Sequence, residues 1–303
     1  MIADKQHFHK AVLVKQVLEY LDPQPGKIYL DATFGSGGHT RALLEKEPGC
    51  KVISLDWDQN ALDTYGPALK EEFGDRLTLL WGNFALLYKI LRGAKINEVD
   101  GILADFGTSQ IQIMNKPGFS IYRNTPLDMR MSPAHQKLTA AELLNKSTEE
   151  KLREIFWQLG QERNAKKIAA AIVQERTKKE FKTTAQLAEL IARIAPNKNR
   201  KIHPATQVFQ ALRIFVNREL DNINSFLAAA IEALNDNGRL VCISFHSLED
   251  RLVKQFFKEK EHEGILTVLT PRVVTADEDE LITNPSSRSA CLRAAQRNKR
   301  EEG

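Results

Sequence analysis

The sequence predicts an α/β fold, a doubly wound parallel sheet with an inserted all-helical domain. Short aliphatic runs alternate with helical stretches from residue 27 to residue 105, and another aliphatic run follows residue 238. Between residues 133 and 218 the apolar residues instead recur every three or four positions, which is typical of the buried side of a helix. We therefore predict a discontinuous sheet domain, residues 1–132 and 219–303, with residues 133–218 as the helical domain.

The four strands predicted in the N-terminal part each lead to a residue that can serve a ligand. The strands cover residues 27–31, 51–56, 77–80 and 99–105. At or just after their ends stand Asp31, Asp56, Phe84 and Asp105. Ligands of doubly wound sheets bind beyond the carboxyl ends of the strands. The four residues therefore predict a single site.

The turn after the first strand contains Gly35, Gly37 and Gly38 and opens a helix near His39. Glycine lets a backbone pass close to a ligand, and the first amides of a helix attract an anionic group. A dinucleotide-binding turn would place glycine or alanine at position 40, where this chain has Thr40. A nicotinamide oxidoreductase is therefore the disfavoured alternative.

Asp56 ends the second strand about twenty residues after the turn, where a carboxylate suits the two hydroxyls of an adenosine ribose. A helix-capping role is the alternative for Asp56, because a helix is predicted to follow it. Phe84 is placed either to flank an adenine ring or to belong to the core. Asp105 ends the fourth strand and is the candidate acceptor of a hydrogen bond from the reacting group.

Two further polar segments contain Asp128 and His246, which we predict as weaker candidates for substrate contact. Histidine beyond a strand can act as a base, but it can also cap a helix. The chain has no Gly-x-Ser-x-Gly turn, so a serine hydrolase is not expected. No spacing of metal ligands is present, and we predict no metal.

Composition excludes few classes of protein. The net charge of +4 permits a polyanionic partner, and residues 196–203 and 288–300 are basic, which indicates either a phosphate-binding surface or a solvated one. Cys50, Cys242 and Cys291 lie far apart, so a reducing cytoplasm is expected. No apolar run approaches the ~20 residues that cross a bilayer, so no membrane association is predicted.

Nine segments resemble, in the same order, those of one family, the bacterial 16S ribosomal RNA (cytosine-N4)-methyltransferases. These segments are residues 9–13, 29–39, 118–120, 126–131, 203–206, 209–214, 216–217, 243–251 and 284–290. Because they run through nearly the whole chain, the combination is far more specific than the glycine turn alone.

The resemblance implies a Rossmann-like methyltransferase domain, S-adenosylmethionine as cofactor, and a helical insertion that recognises RNA. It implies methylation of the N4 amine of a cytidine in the decoding region of 16S ribosomal RNA, within the small ribosomal subunit. The predicted cofactor-binding residues are Gly35, Gly37, Gly38, His39, Asp56, Phe84, Asp105 and Gln112. The predicted catalytic residues are Asp105, Asp128 and His246.

The segment after Asp105 departs from the family pattern. The family usually reads Asp-Leu-Gly-Val-Ser-Ser-Pro-Gln here, whereas this chain has Phe106, Thr108, Gln110 and Ile111. The loop that follows is about one residue shorter. An RNA-binding or assembly protein that has lost catalysis therefore stays open as an alternative.

Overall fold

The computed structural model describes residues 10–107, 116–196 and 203–300. Two compact units make up the chain. The first consists of Met1–Gly107 and Leu220–Gly303, and the second of Thr108–Glu219. The first is an α/β unit, and the described part of the second is helical. Among the described helices, none has the length and apolar character needed to cross a bilayer.

The strands and helices are numbered in chain order. The strands are β1 (Ile28–Asp31), β2 (Lys51–Asp56), β3 (Leu77–Trp81), β4 (Val99–Asp105), β5 (Leu234–Ser244), β6 (Leu266–Val268), β7 (Val274–Thr275) and β8 (Cys291–Arg297). The helices are α1 (Val14–Leu21), α2 (Gly38–Lys46), α3 (Gln59–Phe73), α4 (Leu87–Gly93), α5 (Ala140–Lys146), α6 (Glu149–Gln158), α7 (Ala165–Arg176), α8 (Thr184–Ile194), α9 (Thr206–Asn217), α10 (Glu219–Ala233), α11 (Ser247–His262) and α12 (Glu278–Thr283). Within the described residues, short 3-10 helices cover Gly74–Arg76, Phe84–Leu86 and Pro285–Ser289.

The sheet of the α/β unit has the order β3-β2-β1-β4-β5-β8-β6, and β7 also pairs with β8. The neighbouring strands from β3 to β5 are parallel, whereas β8 is antiparallel to β5 and to β6. The predicted doubly wound sheet is thereby confirmed. Its strand order reverses between β1 and β4, and such a reversal opens a crevice at the carboxyl ends of the strands.

Successive residues of each strand face opposite sides of the sheet, and this period of two builds two separate cores. One core joins one side of the sheet to α4, α10 and α11, and its strand residues include Leu30, Ile53, Ile102 and Leu240. The other joins the opposite side to α1, α2 and α3, and its strand residues include Tyr29, Val52, Leu103 and Val241. Both faces are covered, which is why these strands read as nearly continuous apolar runs.

Two short segments near the end of the chain, Leu266–Val268 and Cys291–Arg297, add the antiparallel strands β6 and β8 to the sheet. Two arginines of the basic segment 288–300 have partners inside the α/β unit. Arg293 forms two hydrogen bonds with Asp250, of 2.7 and 3.1 Å, and Arg297 is 9% exposed and donates to the carbonyl of Ile231. These two residues are therefore neither a solvated end nor a phosphate-binding surface.

The helical unit has a core of its own, formed by the apolar sides of α5 to α9. The helical unit begins at Thr108, before residue 133, where the sequence predicted its start. The reason lies in residues 116–131: Thr125 donates its amide to the hydroxyl of Thr184 at 3.1 Å, and Leu127 and Met129 are buried in the helical core. These residues carry little helical periodicity, so the sequence pattern assigned them to the sheet domain.

The buried side chain of Asn217 fixes the segment before α5 to the end of α9. Its Oδ1 accepts the amide of Met131 at 2.8 Å, and its Nδ2 donates to the carbonyl oxygens of Met129 and Arg213, both at 2.8 Å. Met129 has a φ of +63°, an uncommon conformation for a side chain of this kind. The amide of Asn217 therefore holds a strained turn in place.

We predict that Asn217→Ala lowers the free energy of unfolding by about 2–4 kcal/mol, because buried backbone groups that lose their partners cost about 1–3 kcal/mol each. Urea denaturation measures this change. The exposed Gln158→Ala serves as the control, with an expected effect below about 0.5 kcal/mol. Equal stability of the two variants would show that the backbone turn does not depend on Asn217.

Candidate functional site

The carboxyl ends of β1, β2 and β4 place Asp31, Asp56 and Asp105 along one edge of the sheet, and Phe84 follows β3. The register fixes this arrangement, since Asp31 pairs with Ser54 of β2 and with Leu103 of β4. The edge coincides with the reversal of strand order between β1 and β4. This is the position where a doubly wound sheet offers a crevice for a ligand.

Asp56 ties the glycine turn to the start of α3. Its Oδ2 accepts the amide of Gly35 at 2.8 Å, and its Oδ1 accepts the amide of Asp58 at 2.8 Å. Each carboxylate oxygen keeps a second lone pair for another donor. The side chain is 8% exposed, and burial raises the pKa of Asp56 to about 6, although the two amides act in the opposite direction.

The three glycines of the turn are required for different reasons. A Cβ on Gly37 would lie 2.9 Å from the ring of Phe34, and a Cβ on Gly38 would lie 2.8 Å from the Cβ of Ala11. Gly35 has a φ of +54° and only one backbone oxygen within 4 Å of the place where a Cβ would stand. Gly37 and Gly38 thus permit internal packing, while Gly35 leaves open space for a ligand.

The residue that packs on Gly38 is held by the C-terminal part of the chain. Asn284 donates its side-chain amide to the carbonyls of Lys10 and Ala11, both at 3.2 Å, and Glu280 accepts the amide of Leu13 at 2.7 Å. Asn284 lies 274 residues beyond Lys10. These bonds give a physical reason for the occurrence of segments 9–13 and 284–290 together with the glycine turn.

Asp31 is fully buried and serves the turn rather than a ligand. Its Oδ2 accepts the hydroxyl of Thr40 at 2.8 Å, and its Oδ1 accepts the amide of Thr33 at 3.1 Å. The hydroxyl of Thr40 also lies 2.7 Å from that of Ser54. Burial raises the pKa of Asp31, although His39 and Thr40 oppose this effect. From the sequence Thr40 counted only as a departure from a dinucleotide-binding turn, and Thr33 and Ser54 had no predicted role, because the packing of α2 on the sheet brings Thr40 to Ser54.

His39 and Asp105 meet at the edge of the sheet. The His39 side chain is 5% exposed, and its Nε2 lies 3.6 Å from Oδ2 of Asp105. Within the described residues, the two ring nitrogens of His39 and the Oδ1 atom of Asp105 have no hydrogen-bond partner. Burial lowers the pKa of His39, but the carboxylates of Asp105 and Asp31 outweigh it and raise the pKa overall. Buried polar atoms without a partner are rare in proteins, which makes these atoms candidates for contact with a ligand.

Phe84 has the core contacts that one of its two predicted roles requires. Its ring packs edge-to-face on Phe226 at 5.5 Å and lies 5.9 Å from Phe106 and 6.5 Å from Trp57. The side chain is only partly buried. One part of the ring therefore belongs to the core, and another part stays accessible.

The two other predicted residues, His246 and Asp128, already have partners of their own, and His246 follows the end of β5, the parallel neighbour of β4 at the same edge of the sheet. His246 is the N-cap of α11, where its Nδ1 accepts the amide of Glu249 at 3.4 Å. Asp128 belongs to the helical unit and forms a bidentate ion pair with Arg130. Nε of Arg130 lies 2.7 Å from Oδ1 and Nη2 lies 2.8 Å from Oδ2 of Asp128. Burial opposes ionisation, but Arg130 holds the pKa of Asp128 below its usual range. Gln112 and the basic residues 198–201 lie outside the described residues.

The strand order and the site at its reversal define a Rossmann-like α/β protein. The family model described as "MraW methylase family" matches residues 6–298, and the chain belongs to this family. It is 45% identical over 306 residues to "Ribosomal RNA small subunit methyltransferase H" of Thermomicrobium roseum, with 95% of this chain and 93% of the relative covered. It is 48% identical over 288 residues to the protein of the same name from Coprothermobacter proteolyticus, with 94% of each chain covered.

His246 provides a test that separates capping from catalysis. The bond to the Glu249 amide predicts that His246→Ala destabilises the protein by about 0.5–1 kcal/mol, whereas His246→Asn retains the wild-type stability because Asn is a strong N-cap. Urea denaturation of both variants measures this difference. Loss of activity in a fully stable His246→Asn variant would support the catalytic role predicted from the sequence.

Proposed function

We propose that this protein transfers a methyl group from S-adenosylmethionine to the N4 amine of a cytidine in the decoding region of 16S ribosomal RNA. The observation that carries the proposal is the buried Oδ1 of Asp105, an acceptor without a partner among the described residues, at the ligand edge of a sheet in a methylase-family chain. The relatives named above support ribosomal RNA of the small subunit as the substrate.

The residues of the sheet edge fit S-adenosylmethionine. The second lone pairs of Asp56 suit the ribose hydroxyls, and the open side of Gly35 leaves room beside them. The partly buried ring of Phe84 offers a face to the adenine. Oδ1 of Asp105 can accept from the ammonium of the methionine moiety or from the amine of the base. Gly37, Gly38 and His39 place the first turn of α2 at the same edge.

The target amine is a poor nucleophile because its lone pair is delocalised into the cytosine ring. Bound S-adenosylmethionine supplies an electrophilic methyl group. The Asp105 carboxylate accepts a hydrogen bond from an N–H group of the amine, which restores electron density on the nitrogen. His39, whose Nε2 lies 3.6 Å from Oδ2 of Asp105, orients that carboxylate. Fixed positioning of two reactants can contribute roughly 7–11 kcal/mol to barrier lowering. A strong base is not needed, because the amine releases its proton after the transfer.

We assign recognition of the RNA to the helical unit, and we take the small ribosomal subunit as the form in which the RNA is presented. The three cysteines are free, and two of them are buried, which supports a reducing cytoplasm as the location. Asp128 and His246 stay weaker candidates for contact with the substrate, because Asp128 is paired with Arg130 and Nδ1 of His246 caps α11, although Nε2 of His246 has no hydrogen-bond partner among the described residues.

The direct test is methylation of small ribosomal subunits with labelled S-adenosylmethionine, followed by mapping of the modified nucleotide by mass spectrometry. We expect one N4-methylated cytidine in the decoding region. Asp105→Ala should reduce the rate by about 100-fold, as the removal of a group that positions and polarises the reactant does. Cofactor and RNA binding without any methylation would favour the non-catalytic assembly role.

The raised pKa of Asp56 predicts how cofactor affinity depends on pH. At pH values above its pKa of about 6, the Asp56 carboxylate is ionised and accepts hydrogen bonds from the ribose hydroxyls. At lower pH the added proton removes part of this acceptor capacity. We expect the affinity for S-adenosylmethionine to fall by up to about tenfold from pH 7 to pH 5, since one pH unit corresponds to about 1.4 kcal/mol. Isothermal titration calorimetry measures this dependence.

Asp56→Asn should flatten the pH dependence and weaken binding at pH 7 by about 1.5–3 kcal/mol, the value of hydrogen bonds to a charged group. Asp63→Asn, on the exposed side of α3, is the matched control and should retain the wild-type profile. A wild-type affinity that is constant from pH 5 to pH 7 would show that Asp56 does not bind the cofactor.

A further inference from the structure

An exposed surface at the end of β3 and along α4 combines aromatic and basic side chains. We call it the β3–α4 patch and define it by Trp81, Leu86, Tyr88, Lys89 and Arg92. Trp81 is 49% exposed, Leu86 53% and Tyr88 48%, and both cations are exposed. Large apolar side chains gathered on a surface mark an interaction site more often than scattered ones do.

The charge of this surface is of one sign. From Gly82 to Asn97 the sequence has three cations, Lys89, Arg92 and Lys95, and no acidic residue. All three are exposed, and none of the ion pairs within the described residues includes them. Unpaired cations attract a polyanion, whereas a second copy of the same surface would be repelled.

Two contacts hold the aromatic groups in fixed positions. The indole N–H of Trp81 donates to the carbonyl of Trp57 at 3.1 Å. The guanidinium of Arg92 lies 5.1 Å from the centre of the Tyr88 ring, which keeps both planar groups together. Bases that are not paired can stack on an indole ring or on a guanidinium plane of this kind. A surface that is ordered before binding loses little entropy when a ligand arrives.

The patch begins beside the candidate cofactor site. Trp81 is the pairing partner of Asp56 across the β2–β3 ladder, and the amide of Gly82 donates to the carbonyl of Asp56 at 2.9 Å. Phe84 stands between Gly82 and Leu86 in the chain, with its ring partly in the core. A strand of nucleic acid on the patch therefore lies next to the edge of the sheet where methyl transfer is proposed.

We propose that the β3–α4 patch, together with Lys95 just beyond α4, binds a single-stranded segment of the RNA that flanks the target cytidine, with bases stacked on Trp81 and Arg92 and phosphates bound by Lys89 and Lys95. This inference rests on the proposed function. Single-stranded RNA fits better than a duplex, because stacking on a protein side chain needs unpaired bases. It also fits better than a second copy of this chain, for the reason of charge given above.

The test uses charge reversal at exposed positions, which leaves the fold intact. The double variant K89E/R92E is compared with K15E/K46E, a matched control on α1 and α2 at the opposite face of the sheet. The probe is a fluorescein-labelled single-stranded RNA of the decoding-region sequence, and anisotropy gives its Kd at several salt concentrations. Methylation of small subunits gives KM and kcat, and calorimetry gives the Kd of S-adenosylmethionine.

For K89E/R92E we expect a tenfold or greater rise in the RNA Kd and in KM, with kcat and the cofactor Kd within twofold of wild type. The dependence of log K on log salt should become shallower by about one to two, since the phosphate contact of Lys89 and the positive charge of Arg92 are both lost. Trp81→Ala should weaken RNA binding about equally at all salt concentrations, while Trp81→Phe restores most of it. The control should behave as wild type.

RNA Kd and KM values of K89E/R92E and Trp81→Ala within twofold of the control would overturn the assignment of the patch. Binding of the patch to anionic phosphatidylserine vesicles, with unchanged RNA affinity, would overturn it as well. Failure of the proposed function looks different, because the wild-type protein would then bind S-adenosylmethionine and methylate no RNA.

Discussion

The candidate site depends on one buried carboxylate, that of Asp31. Its two oxygens bind the amide of Thr33 and the hydroxyl of Thr40, so the strand, the glycine turn and the first turn of α2 are joined at a single point. The hydroxyl of Thr33 in turn accepts the amide of Asp105 at 2.8 Å, which connects β1 to the end of β4. Burial without these bonds would be costly for a carboxylate, so each bond is needed for the others to persist.

This network leaves buried polar groups without hydrogen-bond partners that a ligand can supply. Asp31, Asp56 and Asp105 follow neighbouring strands, and burial raises the pKa of both Asp31 and Asp56. The buried imidazole of His39 lies near Asp105, and neither of its nitrogens forms a hydrogen bond within the described residues. A molecule with hydroxyl and ammonium donors supplies partners to Asp56 and Asp105 at once. Functional sites commonly keep such unsatisfied groups at some expense to stability.

The sequence could predict the positions of Asp56, Phe84 and Asp105, because the alternation of strands and helices locates the ends of strands without any knowledge of contacts. It could not predict why Gly37 and Gly38 are glycines, since the atoms that exclude a Cβ belong to Phe34 and to Ala11. The contact between the hydroxyls of Thr40 on α2 and Ser54 on β2 could likewise not be predicted. The assignment of residues 116–131 failed for a similar reason, because hydrogen bonds to the start of α8 rather than periodicity decide it.

The order of the chain delays completion of the site. β4 ends at Asp105, but its partner β5 begins at Leu234, so the sheet closes only after the helical unit has been synthesised. The bonds from Glu280 and Asn284 that press residues 10–13 onto the glycine turn come later still. Contacts of such long sequence separation form slowly, because loop closure must precede any gain from packing. The N-terminal strands and turn therefore supply the groups of the site early, while the C-terminal segment fixes their geometry last.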